Sequence, residues 1–331
     1  MILVTGGTGF LGAHLLIELC SLKYNIRALK RPTSDLDFVR KLFDFYNKSI
    51  FFNTIEWVDC DILDVTAVKQ SFVSIDIVYH CAAKVSFSEK DKTELFRTNI
   101  EGTSNLMNTA LVNGVKKMCY VSSIAVLGKS EIITEKSLWD ENEKHSKYAR
   151  SKYCAELEVW RIAAEGLNSV IVCPSVIIGP WKWDSGIGSL FKQIGNGLNY
   201  YTGGSNSFVD VRDVVKSMIM LTESNIVNDN FIITSENLSY KEIVYLIAET
   251  IGKKSPKRYA SLFITEIAWR LNSIIYFLLK NKSSFTKDTA RISQNRSSYS
   301  NKKVSTALPI SYIRIKQSLE NCQNFYTYLS N

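Results

Sequence analysis

Much that would organise a chain of 331 residues is missing from this one. Its seven cysteines (20, 60, 81, 119, 154, 173 and 322) are odd in number, mostly sit inside apolar runs, and form no CxxC or Cys/His ligand spacing. A disulfide framework and a structural metal are therefore not expected, and a reduced cytoplasmic setting fits best. No charged segment leads into an apolar stretch and a cleavage site at the start, Met1-Ile-Leu-Val-Thr-Gly, so secretion is not expected. The most apolar segment, Leu262 to Leu279, is interrupted by Glu266, Arg270 and Asn272, which argues against a spanning helix. Internal repeats and low-complexity tracts are absent. Acidic residues are scarce in one region only: residues 251–331 hold 14 Lys/Arg against three Asp/Glu, a local +11, whereas residues 1–250 come to −3. The net +8 thus belongs to the C-terminal quarter and does not mark the chain as a nucleic-acid binder.

What is present is an ordinary globular composition, 46% hydrophobic and 22% charged, enough to bury one large core or two modest ones. Short apolar runs alternate with helical periodicity. Strands are predicted at Ile2–Thr5, Ile26–Leu29, Ile55–Val58, Ile77–Cys81, Lys117–Ser122 and Val170–Pro174. Helices are predicted at Phe10–Leu22, Asp37–Tyr46, Asp64–Phe72, Thr93–Val112 and Ser146–Ala164. This alternation predicts an α/β fold with a doubly wound parallel sheet of the Rossmann type over residues 1–178. Beyond Pro174 the glycines at 179, 186, 188, 195, 197, 203 and 204 predict turns and short elements. Residues 179–331 are read as a smaller, mainly substrate-binding region, with segments such as 205–235 returning to the core. Helices are expected there at Val211–Thr222, Ser239–Ile251 and Phe263–Leu279, and a strand at Phe231–Thr234.

Thr5-Gly-Gly-Thr-Gly-Phe-Leu-Gly12 follows the first strand and opens the first helix, so Gly6, Gly9 and Gly12 stand in a GxxGxxG spacing. Glycine there permits a tight turn and lets backbone N–H groups and the helix N-terminus approach a pyrophosphate; Thr8, Phe10 and Leu11 complete the turn. A dinucleotide is the expected ligand. The second strand ends in Lys30-Arg31 where an NAD-selecting fold would carry a carboxylate for the ribose hydroxyls. A guanidinium can grip a 2′-phosphate with paired charge-assisted hydrogen bonds, so NADP(H) is favoured, with NAD(H) as the other option. At the ends of the third and fourth strands, Asp61 is placed to accept from an adenine amino group, Ile62 to pack on the ring, and the small Ala82 and Ala83 to let the cofactor pass. His80 is read as a structural residue.

Tyr148-Ala-Arg-Ser-Lys152 places a phenol and an ammonium four residues apart on one helical face, close enough for the cation to lower the phenol's pKa. Such a tyrosine can shuttle a proton to or from a carbonyl or alcohol oxygen. The same spacing recurs at Tyr276/Lys280, Tyr299/Lys303 and Tyr312/Lys316. Tyr148 is singled out by its place on the helix after the fifth strand, whose carboxyl end carries Ser123.

TGGTGFLG, His80-Cys-Ala-Ala83, Asn99-Ile-Glu-Gly, Val121-Ser-Ser-Ile-Ala-Val-Leu-Gly128, YxxxK and Cys173-Pro-Ser-Val-Ile-Ile-Gly-Pro180 follow one another in this order. With them the chain resembles the extended short-chain dehydrogenase/reductase family (the NAD-dependent epimerase/dehydratase superfamily) over nearly its whole length. The LKRPTSD and AAKVSF segments look most like dihydroflavonol-4-reductase-like and 3β-hydroxysteroid-dehydrogenase-like members. The resemblance implies Ser123, Tyr148 and Lys152 as catalytic residues, with Tyr148, Lys152, Lys84 and Pro174 also against the cofactor. It implies Asn99 as a structural helix residue, and Phe208-Val-Asp-Val-Arg-Asp213 as the segment that packs the substrate region on the core. An NADP(H)-dependent oxidoreductase acting on a small lipophilic or aromatic substrate is the reading, and a homodimer is the assembly the family commonly forms. Nucleotide-sugar epimerase or dehydratase is the alternative. Leu127-Gly128 stands where epimerase-like chains carry Tyr-Gly, and Ile124-Ala125 follows Ser123 where dehydratases add an acidic pair. A non-catalytic NADP(H)-binding protein is the second alternative.

Trp181, Trp183, Phe191, Tyr200 and Tyr201 follow the sixth strand and could face a planar substrate, though packing is the more ordinary role of each. Leu262, Phe263, Ile267, Leu271, Ile274, Ile275 and Leu278 recur at helical spacing beside Lys253, Lys254, Lys257, Arg258, Lys280, Lys282 and Lys287. The stripe is read first as part of a lid over the substrate region, with weak peripheral membrane contact through 262–287 as the other use of that composition.

Overall fold

Ile2, Leu3 and Val4 are all buried, with Leu3 facing one apolar cluster and Ile2 and Val4 the other, so the first strand must be covered on both faces. In the computed structural model, which describes residues 1–279 and 286–330 and only the backbone of 272–279, this strand sits in the interior of a parallel sheet. The strands are β1 (Ile2–Thr5), β2 (Ile26–Lys30), β3 (Glu56–Asp59), β4 (Ile77–His80), β5 (Lys117–Val121), β6 (Ser169–Pro174), β7 (Val176–Ile178), β8 (Tyr200–Tyr201), β9 (Ser205–Asp210), β10 (Asp229–Ile233), β11 (Glu236–Ser239) and β12 (Arg258–Tyr259). Seven of them pair in the order β10-β6-β5-β4-β1-β2-β3, every pair parallel. The chain winds outward from β1 in one direction through β2 and β3, then in the other through β4, β5 and β6. The carboxyl ends of β1 and β4 therefore flank the crevice where ligands bind in such folds.

Alternation along the strands assigns each helix layer its side chains. Cys119, Val170 and Val172 join Leu15, Leu16, Val214 and Met218 of the helices Phe10–Ser21 and Val211–Glu223. Met118, Tyr120, Ile171 and Cys173 join Leu106, Met107, Ala155 and Val159 of the helices Gly102–Val112 and Lys147–Ala164. Tyr120 thus lies under the helix that carries Tyr148 and Lys152.

The six predicted strands form, and the strand expected at Phe231–Thr234 becomes a seventh by pairing with β6. The predicted helix Thr93–Val112 is broken into Lys92–Phe96, a π-helical turn at Arg97–Glu101 and Gly102–Val112. The wide turn lets Asn99 sit buried, bonded to both backbone polar groups of Lys84 and to the Ser151 hydroxyl.

The glycine-rich stretch after Pro174 is more regular than its composition predicts. Gly186–Gly195 is a helix, with Gly188 against the Lys182 carbonyl and the Tyr326 ring, where an added Cβ would come within 2.7 Å of both oxygens. β7, β9 and β11 make a second sheet, and helices follow at Lys287–Ile292, Lys302–Ala307 and, over 16 residues, Ile315–Ser330. Asp213 accepts from the Ile313 backbone at 2.7 Å, tying the segment 208–213 to the C-terminal helix region.

The lid reading of the stripe at 262–278 does not hold where its side chains are described: Leu262, Phe263, Ile267 and Leu271 are exposed. Ile274, Ile275, Leu278, Lys280 and Lys282 lie outside the described side chains, as does the pair Tyr276/Lys280. No helix among the described residues is long and apolar enough to cross a membrane.

Candidate active site

The turn after β1 is built on close approach. Gly6 has φ +69°, and a Cβ there would lie 2.7 Å from the Ala82 nitrogen; one on Gly12 would lie 2.1 Å from the Gly6 carbonyl oxygen. Gly9 donates its N–H to that same carbonyl at 2.9 Å and begins the helix Phe10–Ser21 without a side-chain cap. The first N–H groups of this helix are thus left without a side-chain cap, and the glycine cradle fits a pyrophosphate. Leu11 is buried below it, while Phe10 packs on Trp181 at 5.8 Å.

At the end of β2, Lys30 pairs with Asp59 at 2.5 Å and Arg31 is exposed with no ion pair among the described residues. The Arg31 N–H donates to the Ser34 hydroxyl at 3.0 Å, and Thr8 donates to the same oxygen at 3.3 Å. Ser34 therefore joins the β2 loop to the phosphate turn, a role its place in the sequence did not announce. Asp35 fixes the loop further by capping the helix Leu36–Phe45 and pairing with Lys182 at 2.9 Å.

Asp61 and Ile62 stand at the end of β3, and Asp61 accepts from the Leu63 N–H at 2.9 Å. Ile62 is buried with its tip against Gly102. Ala82 and Ala83 follow β4 with Ala82 against Gly6, Lys84 pairs with Glu94, and Pro174 is buried at the end of β6.

The Ser123 hydroxyl lies near enough to the Tyr148 phenol to pull its pKa down, and it accepts from the Ala125 N–H at 3.2 Å. Ser146 caps the helix two residues before Tyr148, accepting from the Ala149 N–H at 3.1 Å, which fixes where that helix starts. Phe87 packs edge-on to Tyr148 with centroids 5.7 Å apart, giving the phenol an apolar neighbour. Burial raises the phenol's pKa above its ordinary value and the neighbouring Ser123 hydroxyl partly offsets this. The expected lowering by Lys152 is thus not the outcome. Lys152 is 2% exposed and its ammonium donates at 2.7 Å both to the Tyr120 hydroxyl and to the Val121 carbonyl. Burial brings the Lys152 pKa down to about 8, against the opposing pull of Glu156.

Beneath the carboxyl edge of the sheet, with its ring 5.5 Å from that of Tyr120, His80 centres a buried set of hydrogen bonds. Thr103 meets His80 Nε2 at 2.9 Å, His80 Nδ1 meets Thr5 at 2.7 Å, and Thr5 accepts from the Ala82 N–H at 3.2 Å. A neutral imidazole with one N–H satisfies both of its neighbours, and burial drives the His80 pKa down to about 3, with the Lys152 charge adding to the effect. His80 is a structural residue that ties the phosphate turn at Thr5 to Thr103, as its place at a strand end implied.

Glu156 is a further residue of the site, one helical turn beyond Lys152 and 7% exposed. It accepts from Ser122 and, at 3.2 Å, from the Trp160 indole, and burial raises its pKa. The i, i+4 spacing from Lys152 was visible in the sequence; the inward turn of the carboxylate was not. The other described YxxxK matches are placed elsewhere: Lys303 pairs with Asp229, Lys316 with Glu249, and the Tyr312 ring is partly buried beside the core. Of the aromatics after β6, Phe191 is 1% exposed, Trp183 stacks on Tyr326 at 3.7 Å, and Tyr201 lies against Tyr245 and Tyr259.

The model of the NAD dependent epimerase/dehydratase family matches residues 2–233. A putative dihydroflavonol 4-reductase from Synechocystis sp. is 28% identical over 98% of this chain and 93% of its own length. Sterol demethylase protein B from Methylococcus capsulatus is 29% identical over 77% and 76%. Among solved structures, gox2253 matches with a TM-score of 0.83 at 24% identity over 99% of this chain and 98% of that one. UDP-glucose 4-epimerase from Thermotoga maritima with UDP-glucose matches at 0.78 and 18% identity over 100% and 99%. At these identities the structural likeness speaks to the fold.

Proposed function

The chain belongs to the NAD-dependent epimerase/dehydratase family and is an NAD(P)-dependent oxidoreductase of the extended short-chain dehydrogenase/reductase type; from that premise we propose that it interconverts a carbonyl and a secondary alcohol on a small lipophilic or aromatic substrate, using NADP(H). The observation that carries this reading is that Ser123, at the end of β5, and the buried Tyr148, at the start of the next long helix, come together at the open edge of the sheet. The nicotinamide, when bound, supplies or accepts the hydride. Tyr148 gives its proton to the carbonyl oxygen in reduction, and Ser123 holds that oxygen in reach. A phenol kept protonated by burial is suited to proton donation. Lys152, with two of its N–H groups on Tyr120 and Val121, keeps one for a ribose hydroxyl.

Arg31 and the Ser34 hydroxyl lie together at the end of β2, where both can meet a 2′-phosphate. Lys30 neutralises Asp59, removing a repulsion that the phosphate would otherwise meet. The apolar Phe87 beside Tyr148 supports a lipophilic or aromatic substrate, as do relatives named dihydroflavonol 4-reductase, cinnamoyl-CoA reductase and anthocyanidin reductase. A homodimer is proposed through the paired helices Gly102–Val112 and Lys147–Ala164, which leave Leu157 exposed.

The test is cofactor consumption by the purified protein with aromatic ketones, aldehydes, sterol ketones, and UDP- and dTDP-sugars. NADPH oxidation with a ketone or aldehyde is expected. Conversion of a nucleotide sugar with no net cofactor change would replace the reading with epimerase chemistry, and NADP(H) binding without turnover of any of these with a non-catalytic role.

A further inference from the structure

The helix Leu262–Leu279 faces the wrong way for a helix that only packs on its own protein. It turns Thr265, 4% exposed, toward the rest of the chain and leaves Phe263 at 73%, Ile267 at 41% and Leu271 at 55%. These three are spaced i, i+4, i+8 and form one outward stripe. Thr265 can be buried because its hydroxyl donates to the Leu262 carbonyl at 2.9 Å, whereas the apolar residues have no such reason to be outside.

The segment leading into this helix is cationic. Lys253, Lys254, Lys257 and Arg258 are exposed and none has an ion-pair partner among the described residues; Arg270, on the helix itself, is paired with Glu266. Tyr259 and Tyr200, on the two strands of the β8/β12 ribbon, are exposed beside them, and Arg258 reaches the Tyr200 hydroxyl at 3.4 Å. We propose that this surface binds a membrane bearing anionic lipids, with Phe263, Ile267 and Leu271 entering the headgroup and acyl boundary and the Lys253–Arg258 segment lying against the lipid phosphates.

Charge selects this occupant over a second copy of the chain. Two copies meeting through this face would bring two unpaired cationic segments together, whereas an anionic leaflet neutralises them. An outward apolar stripe beside lysines, with tyrosines at the level of the headgroups, is the arrangement of a helix lying in a bilayer surface. The inference is independent of the substrate.

The test is sedimentation of the full chain with phosphatidylcholine vesicles, with and without phosphatidylglycerol, at low and moderate salt. Pelleting that requires phosphatidylglycerol and falls as salt rises is expected. Phe263→Ser with Leu271→Ser should lower it at every salt concentration. Lys253→Gln, Lys254→Gln and Lys257→Gln should each weaken it by about fivefold at low salt. These side chains are exposed, so the variants should keep their thermal midpoint and cofactor binding, which serve as folding controls. Protein that remains in the supernatant with phosphatidylglycerol vesicles at low salt overturns the proposal. So does a dimer in sedimentation velocity that Phe263→Ser dissociates, because a second copy would then cover the face.

Discussion

Around Lys152, the hydroxyls of Tyr120, Thr103 and Thr5 and both nitrogens of His80 are buried and each finds a partner within the chain. Around Phe263 the situation is reversed: apolar side chains stand in water and Lys253, Lys254 and Lys257 lack ion-pair partners among the described residues. The first region has to be complete before any ligand arrives, since a buried polar group left unpaired costs about 1–3 kcal/mol. The second carries no such penalty, because its charges are solvated and its apolar face can wait for a partner. A reacting centre is preorganised; a docking surface is left open.

That contrast is tested most severely at the phosphate turn. Gly12→Ala would place a Cβ 2.1 Å from the Gly6 carbonyl oxygen, and NADP(H) affinity should fall below detection in calorimetry. Retained affinity would show that the turn is looser than its packing implies. Next comes Tyr148→Phe, expected to lower kcat by about 10²–10⁴ while leaving cofactor affinity nearly unchanged, as read by steady-state rates beside fluorescence titration. Lys152→Ala should damage both quantities. Normal turnover in Tyr148→Phe would move the chemistry elsewhere.

A smaller effect is expected at the edge of the cofactor site, where side chains are exposed. Arg31→Asp should lower the ratio of NADP(H) to NAD(H) affinity by about tenfold or more, the loss of a charge-assisted pair. Lys30→Asn should do less, because Lys30 is already held by Asp59. Wild-type protein binding NAD(H) more tightly than NADP(H) would defeat the assignment.

Glu156→Gln should have the mildest effect and the most specific signature. Its carboxylate opposes the fall of the Lys152 pKa, which burial has already brought to about 8. Without that charge Lys152 loses its proton at lower pH, so the alkaline limb of kcat should move acidward. The expected cost is several-fold in activity near pH 8 and little near pH 6.5. Glutamine keeps a polar partner for Ser122, so a merely structural role would lower activity evenly across pH.

The sheet was legible because buried strands declare themselves by composition: Ile2–Thr5, Ile77–His80 and Val170–Pro174 have no polar face to confuse the pattern. The phosphate turn was legible because only glycine tolerates its backbone contacts. The break in the helix around Asn99 was not, since a π-helical turn has no propensity signature and is fixed by what Asn99 bonds to, Lys84 and Ser151. The helix Gly186–Gly195 was hidden by its glycines, whose helical cost is overridden by packing on Tyr326.

By itself the sequence determined the order of strands and helices, the glycine turn, the place of Ser123 and Tyr148, and the lack of a carboxylate at the end of β2. These follow from local chemistry and short spacing. Only the tertiary structure decided where Lys152 sends its proton donors, that Lys30 is taken by Asp59, that Glu156 turns inward, and that Phe263 and Leu271 face out. Each of those depends on a neighbour distant in sequence or on which face of an element the rest of the chain covers, and a pattern of residues along one segment does not carry that information.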